Sequence, residues 1–388
     1  MTHKSCFMEN FTIYNPVKLH FGSGVLSGLG KAAGAFGKKA LLVYGKGSVK
    51  ANGAYSECTA ALGQAGINLF EYGGIKPNPV IEDVDQAAAL GREKEVDMVI
   101  AVGGGSVIDS AKLLSVAIPA THSAWDFVEG VRKPAAGLPL IAILTLAATG
   151  TEMNHYAVIQ HDALKKKSGY GHRLMFPRHS FLDPGFTRSV PAHHTAYGIT
   201  DLVAHSLEAW FGEGEASLTD RFILAILQEA MQYGPMLMKD LENPGLRARI
   251  MYAATCALNG MTTPGKKSQD WGVHGVGHCL SVLWDIPHGA SLSIAYPAWM
   301  ELQKDRIPDR ITELGQSLFG TSTTAGTIAG FKDFFAGLNS PLNLGQMGIH
   351  PTIKEKDELV KVMGTNEVDG LAHRLSGKDH RALAEMML

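Results

Sequence analysis

Two pairs of metal-ligating residue types, each spaced by one helical turn, constrain this sequence more than any other feature. Asp201 and His205 lie in the run Ala196-Tyr-Gly-Ile-Thr-Asp201-Leu-Val-Ala-His205, and His274 and His278 lie in Asp270-Trp-Gly-Val-His274-Gly-Val-Gly-His278. On an α-helix, residues four apart share a face, so each pair would be presented together. Leu202, Ala204, Leu207 and Ala209 surround the first pair with apolar side chains, the pattern of a buried helix. A helix running from about Asp270 to Leu283 would end before Pro287, and the proline would turn His288 back towards His274. Taken singly, each histidine reads as a core residue that has found a hydrogen-bond partner. Taken together, Asp201, His205, His274 and His288 read as a four-ligand N/O site suited to Fe, Zn or Mn. A fold that satisfies this pattern must pack the two helices side by side.

A chain of 388 residues is long enough for two domains, and 45% hydrophobic with 19% charged residues is ordinary globular composition. Basic and acidic side chains nearly balance, 35 against 37, for a net charge of −2. That leaves no field for nucleic acid or an anionic membrane surface. In the run Lys165 to Lys167, at least two of the three lysines read as a solvated hairpin tip. Cys6, Cys58, Cys256 and Cys279 form no C-x-x-C and accompany no secretory pattern, which reads as reduced thiols and a cytoplasmic address. The longest apolar run, Leu138 to Ala148, is too short to span a bilayer and reads as a buried strand.

Along the first half, strand and helix patterns alternate. Phe11 to Pro16 reads as an edge strand, Lys39 to Tyr44 as a buried strand, Ala51 to Gln64 as a helix and Ile67 to Tyr72 as a strand. Val80 to Glu95 follows as a helix, Met98 to Val102 as a strand, Val107 to Val116 as a helix, and Tyr156 to Tyr170 as a hairpin. Such alternation predicts a Rossmann-like parallel sheet covered on both faces, with a nucleotide at the carboxyl ends of its strands. Gly103, Gly104, Gly105 and Ser106 fall at such an end, before a helix, where bare backbone can approach a pyrophosphate. Ile108 occupies the place of the last glycine of G-x-G-x-x-G, so the standard fingerprint is not met. The turn Gly45-Lys46-Gly47-Ser48 carries no acid to hold a ribose 2′-hydroxyl, while Lys46, Ser48 and Lys50 would welcome a 2′-phosphate, which favours NADP(H) over NAD(H). After Leu182-Asp183-Pro184 the patterns turn helical, at about 192–211, 217–238, 245–263, 270–283, 288–304 and 322–337. The expected division is an α/β cofactor-binding domain over 1–187 and an all-helical metal-binding domain over 188–388.

With these residues in view, the chain resembles the iron-containing (group III) alcohol dehydrogenase family, in particular its NADPH-dependent aldehyde reductase and butanol dehydrogenase branch. The resemblance runs nearly end to end. It covers Phe11 to Pro16, Pro77-Asn78-Pro79, the Gly103-Gly-Gly-Ser-x-x-Asp109-x-Ala-Lys112 motif, Thr149-Gly-Thr-Glu152, Leu182-Asp-Pro184, both ligand pairs and Pro287-His288-Gly289. Thr151 stands where the family commonly has Ser, and Ala147 where it has Pro. The resemblance implies a dehydroquinate-synthase-like two-domain architecture, Fe²⁺ at a site that would also accept Zn²⁺ or Mn²⁺, and a homodimer or higher homo-oligomer. It further implies cofactor contacts at Asn78, Asp109, Thr145, Thr149, Asn154, Lys167 and Leu182.

The implied activity is hydride transfer between NADP(H) and short- to medium-chain alcohols or aldehydes, the metal polarising the substrate oxygen. His278 is the candidate proton donor, with a fifth ligand or an orienting residue as alternatives. Asp109 and Lys112 read equally well as surface pairs, and Trp271, Trp284 and Phe127 as core or pocket lining. A glycerol-type polyol dehydrogenase using NAD is disfavoured by His205. A dehydroquinate-synthase-like lyase would need a basic phosphate site, for which Lys266 and Lys267 are the candidates. A non-catalytic metal-binding protein would have no use for the nucleotide loop.

Overall fold

The computed structural model describes residues 8–388. The chain divides into two compact units, one formed by residues 15–191 and 240–255, the other by residues 192–239 and 256–388 with the described residues 8–14.

The first unit is built on a parallel six-stranded sheet ordered β1-β8-β5-β4-β2-β3. Its strands are β1 (Lys18–Phe21), β2 (Lys39–Tyr44), β3 (Asn68–Gly73), β4 (Met98–Gly103), β5 (Leu140–Leu144) and β8 (His179–Leu182). Strands β6 (Tyr156–His161) and β7 (Lys166–Gly171) form a separate antiparallel hairpin. The helices are α1 (Leu29–Gly34), α2 (Ser48–Ala51), α3 (Ala54–Gln64), α4 (Ile81–Lys94), α5 (Gly105–Ala117) and α6 (Trp125–Val128). Every residue of β4 and β5 is buried, as parallel strands covered on both faces require. The pleat sorts them: Leu41, Val43, Val99 and Ala101 join the core under α4 and α5, while Ala40, Leu42, Met98, Ile100 and Val102 join that under α1 and α3. The helix expected from Ala51 to Gln64 is broken at Gly53, whose φ of 85° ends α2 and starts α3.

Phe11 to Pro16 forms no strand, in contrast to the sequence expectation. The edge strand is β1, and Phe11, Ile13 and Tyr14 are 50%, 72% and 69% exposed. A lone extended segment without a strand to pair with gains no ladder.

The second unit is helical: α7 (Ala192–Trp210), α8 (Ser217–Lys239), α10 (Gly272–Trp284), α11 (His288–Gln303), α12 (Pro308–Phe319), α13 (Thr324–Gly337), α14 (Ile353–Thr365) and α15 (Gly377–Met386). Helix α7 is buried almost throughout from Thr195 to Trp210 and packs against α8, α10 and α11. Helix α9 (Pro244–Ala257) is where the units depart from a single cut after residue 187. Most of it belongs with the sheet: Met251 lies in the sheet's core, and the Thr255 hydroxyl donates to Glu152 at 2.5 Å. No helix among the described residues is long and apolar enough to cross a membrane.

Candidate metal centre and cofactor loops

Helix α10 starts where it does because carboxylates meet its first amides. Trp271 holds a left-handed backbone with φ of 63°, and its N–H donates to Glu208 Oε2 at 2.5 Å. The amide of His274 donates to Glu208 Oε1 at 3.0 Å, and that of Gly272 to Asp270 Oδ2 at 3.3 Å. Unpaired amides of a first helical turn are thereby satisfied by negative charge, the sign the helix dipole favours there. Asp270 also takes the amides of Ala372 (3.0 Å) and His373 (2.7 Å), and burial beside Glu208 pushes its carboxyl up to about 7.

Helix α10 ends at Asp285, and Pro287 precedes α11 directly, so His288 returns towards His274 as the sequence suggested: their ring centroids lie 5.3 Å apart. Gly289 permits this return. A Cβ there would lie 2.1 Å from the carbonyl oxygen of Tyr197 on α7, so only glycine lets α11 approach this closely.

Around Asp201 the predicted ligands converge. Its Oδ1 lies 3.5 Å from His205 Nδ1, 3.6 Å from His288 Nε2 and 3.8 Å from His274 Nε2. Asp201, His205 and His274 offer atoms that all lie within 4.8 Å of one another. Ligands about 2.1 Å from a tetrahedral ion stand roughly 3.4 Å apart, so these spacings suit a shared ion better than direct hydrogen bonds. Asp201 Oδ1, His205 Nδ1 and His274 Nε2 are buried with no hydrogen-bond partner in the protein. Three polar atoms left facing one another in the interior are costly unless a cation joins them, and the donor set fits one. Burial drives the His205 imidazole down to about 4. At His274 burial works the same way, but the Asp201 and Glu208 carboxylates outweigh it and hold the ring up at about 9. His278, one turn along α10, stacks obliquely beside His288 with centroids 5.5 Å apart.

Glu208 is the residue at this centre that sequence reasoning passed over. It is buried, and its Oε1 receives His274 Nδ1 at 2.7 Å. Its spacing of seven residues from Asp201 puts it on the ligand face of α7, which was the available signal.

The proposed cofactor residues gather at the carboxyl edge of the sheet. Gly45, Gly47 and Ser48 follow β2, Gly103 to Ser106 follow β4, Thr145 and Thr149 follow β5, and Leu182 closes β8. After β2 the chain moves outward to β3, then crosses back to β4 and on to β5, so the loops after β2 and β4 diverge at a topological switch point, where open α/β sheets bind their ligands. Gly105 is required by packing as well, since a Cβ there would come 2.7 Å from Thr149 Cγ2. Lys167 donates to Asn78 at 2.7 Å, joining two of the predicted residues. Lys50 lies over the rings of Tyr44 and Tyr55, at 5.2 and 4.8 Å.

Asp109 and Lys112 are not surface residues. Lys112 is fully buried and donates to Thr151 Oγ1 (2.6 Å), Asn154 Oδ1 (2.8 Å) and the carbonyl oxygen of Tyr156 (2.6 Å). Asp109 accepts from Thr151 Oγ1 at 2.5 Å and from the Val158 amide at 2.9 Å. The pair fastens the 150–158 segment to α5, the helix that opens with the glycine loop. Phe127 is core. Lys266 pairs with Asp220 at 2.7 Å and Lys267 with Glu213 at 2.8 Å, so the lysines a lyase would need are engaged in ion pairs.

Against known proteins, the model for iron-containing alcohol dehydrogenases matches residues 16–184, and that for the C-terminal part of the Fe-containing alcohol dehydrogenase family matches 195–367. The chain is 38% identical over 352 residues to the probable NADH-dependent butanol dehydrogenase 1 of Bacillus subtilis (strain 168), covering 88% of this chain and 91% of that one. It is 32% identical over 352 residues to the NADPH-dependent aldehyde reductase YqhD of Escherichia coli (strain K12), covering 88% and 90%. The crystal structure of NADH-dependent butanol dehydrogenase A from Thermotoga maritima superposes with a TM-score of 0.94 at 31% identity, covering 98% of this chain and 99% of that one.

Proposed function

The chain belongs to the iron-containing alcohol dehydrogenase family, and on that premise we propose that it interconverts short- to medium-chain aldehydes and alcohols with NADP(H), using a divalent ion held by Asp201, His205, His274 and His288. The observation that carries this reading is the trio of buried atoms without a hydrogen-bond partner, Asp201 Oδ1, His205 Nδ1 and His274 Nε2, on three residues whose ligand atoms lie within 4.8 Å of one another. When bound, the ion supplies Lewis acidity to a substrate oxygen and the reduced nicotinamide supplies hydride.

The chain's own residues do the rest. Asp201 offers one negative charge and the three imidazoles offer neutral nitrogen, so a divalent ion held by them would keep a net positive charge towards an oxygen that becomes anionic. His278, half-buried beside His288, holds the proton that this oxygen takes up. The glycine turns after β2 and β4 offer backbone to the dinucleotide phosphates, and Asn154 lies in the 150–158 segment that Lys112 and Asp109 fix to α5.

Lys46 and Ser48, with no acid in the turn, support NADP(H). The NADH-dependent names among the relatives make NAD(H) the competing reading. Exposed Phe11, Ile13 and Tyr14 support association with a second copy of the chain, and the scattered, buried thiols of Cys58, Cys256 and Cys279 support a reducing, cytoplasmic setting.

Reconstitution with Fe²⁺ under anaerobic conditions and assay with butanal tests all but the last two points. Chelator-sensitive turnover with a higher kcat/KM for NADPH than for NADH is expected. Turnover with NADH alone would overturn the cofactor assignment, and metal-independent turnover would overturn the ligand assignment.

A further inference from the structure

We infer that Glu208 is a positioning residue that fixes which nitrogen of His274 can bind metal. The inference rests on the ligand set proposed above and extends it by one residue.

Glu208 is 1% exposed and meets three donors at once: the His274 side chain at Nδ1 (2.7 Å), the His274 amide (3.0 Å) and the Trp271 amide (2.5 Å). An ionised carboxylate only accepts hydrogen bonds, so the contact at Nδ1 requires that nitrogen to carry the ring proton. A ring that binds a metal ion must first give up one proton, and with Nδ1 keeping its N–H against Glu208 the nitrogen left with a lone pair is Nε2. Nε2 is the atom that faces Asp201 Oδ1 at 3.8 Å and has no hydrogen-bond partner. Glu208 therefore selects the tautomer a ligand needs and, through the two amides, fixes the first turn of the helix that carries the ring.

The chemistry makes a sharp distinction between Glu and Gln. A glutamine amide that keeps its oxygen towards His274 must turn its NH₂ against the Trp271 N–H, donor against donor. Flipped, it offers a donor to Nδ1, which moves the ring proton to Nε2 and blocks the ligand atom. Either choice harms the site although side-chain volume is conserved.

The test uses the full chain, stripped of metal and reloaded with Zn²⁺ or Co²⁺, with dissociation constants measured by chelator competition. Glu208→Gln is expected to bind metal about ten- to hundredfold more weakly than the parent, with a changed Co²⁺ d–d spectrum and unchanged NADPH affinity. Glu208→Asp keeps an acceptor-only group and is expected to bind metal more tightly than Glu208→Gln; the reverse order overturns the tautomer argument even if one variant folds poorly. His274→Ala is the reference for the ligand set and is expected to lose metal outright. If His274→Ala retains metal like the parent, the ligand assignment itself fails. If it loses metal while Glu208→Gln keeps parental affinity and spectrum, the role of Glu208 alone is refuted.

Discussion

The two units build their candidate sites from different materials. In the α/β unit the loops that would hold a cofactor are backbone: glycines and small hydroxyl residues at the ends of β2, β4 and β5, placed by the sheet's strand order. In the helical unit the candidate site is side chain: one carboxylate and three imidazoles brought from α7, α10 and the start of α11. A backbone site tolerates changes of side chain but not of backbone clearance. A side-chain site tolerates neighbouring changes but not loss of a ligand.

The largest expected effect breaks the helical site alone. Asp201→Ala removes the only carboxylate among the proposed ligands, so bound metal should disappear and turnover should fall by roughly a thousandfold or more. NADPH affinity, measured by fluorescence titration, should stay within a factor of about two, the range expected for independent sites. A parallel loss of NADPH binding would show that the two sites are not independent, and the comparison would fail.

The converse substitution is Gly105→Val. Its Cβ would press on Thr149 at 2.7 Å, an overpacking that costs about 1–3 kcal/mol and so weakens NADPH binding about ten- to hundredfold if the loop yields. Metal content measured by elemental analysis should be unchanged. Unaltered NADPH affinity would remove this loop from the cofactor site.

The smallest effect sharpens the comparison at its exception, because Lys112 is a buried side-chain hub inside the backbone-built unit. Burial lowers its amine from the ordinary 10.5 to about 7, against the pull of Asp109 and Glu152, and on losing its proton the amine keeps two of its three donations. Between pH 7 and 10.5 the unfolded chain thus binds a proton that the folded chain does not. Stability should rise with pH across that window, level off above it, and show no slope from this group below it. Lys112→Met abolishes that contribution, so the gap in unfolding free energy between parent and variant, measured by urea titration, should shift in the parent's favour from pH 7 to 9.5, by up to a few kcal/mol. A gap that does not change with pH would mean that Lys112 keeps its proton throughout.

Much of both sites was legible because it rests on local periodicity. A spacing of four residues put Asp201 beside His205, and the proline before His288 marked the turn that brings it back. The glycine run between a strand and a helix marked the phosphate-type loop. What escaped was long-range pairing. Lys112 reads as an ordinary helical lysine until Thr151, Asn154 and Tyr156 close over it, and Glu208, though on the ligand face of its helix, has no assigned partner until His274 arrives from another helix. Helices α12, α14 and α15 were not predicted as separate elements, whereas Thr352 and Ser376 do form capping boxes at the starts of α14 and α15.

The sequence by itself determined the family, the alternation that makes a parallel sheet, and the ligand types with their spacing on each helix, because these follow from periods of two and 3.6 residues and from side-chain chemistry. Tertiary structure decided that residues 240–255 join the sheet's unit, that Lys112 is buried, and that Glu208 faces Nδ1 of His274. Each of these depends on which distant surfaces exclude water together, and burial is a property of the packed chain, written in no single stretch of it.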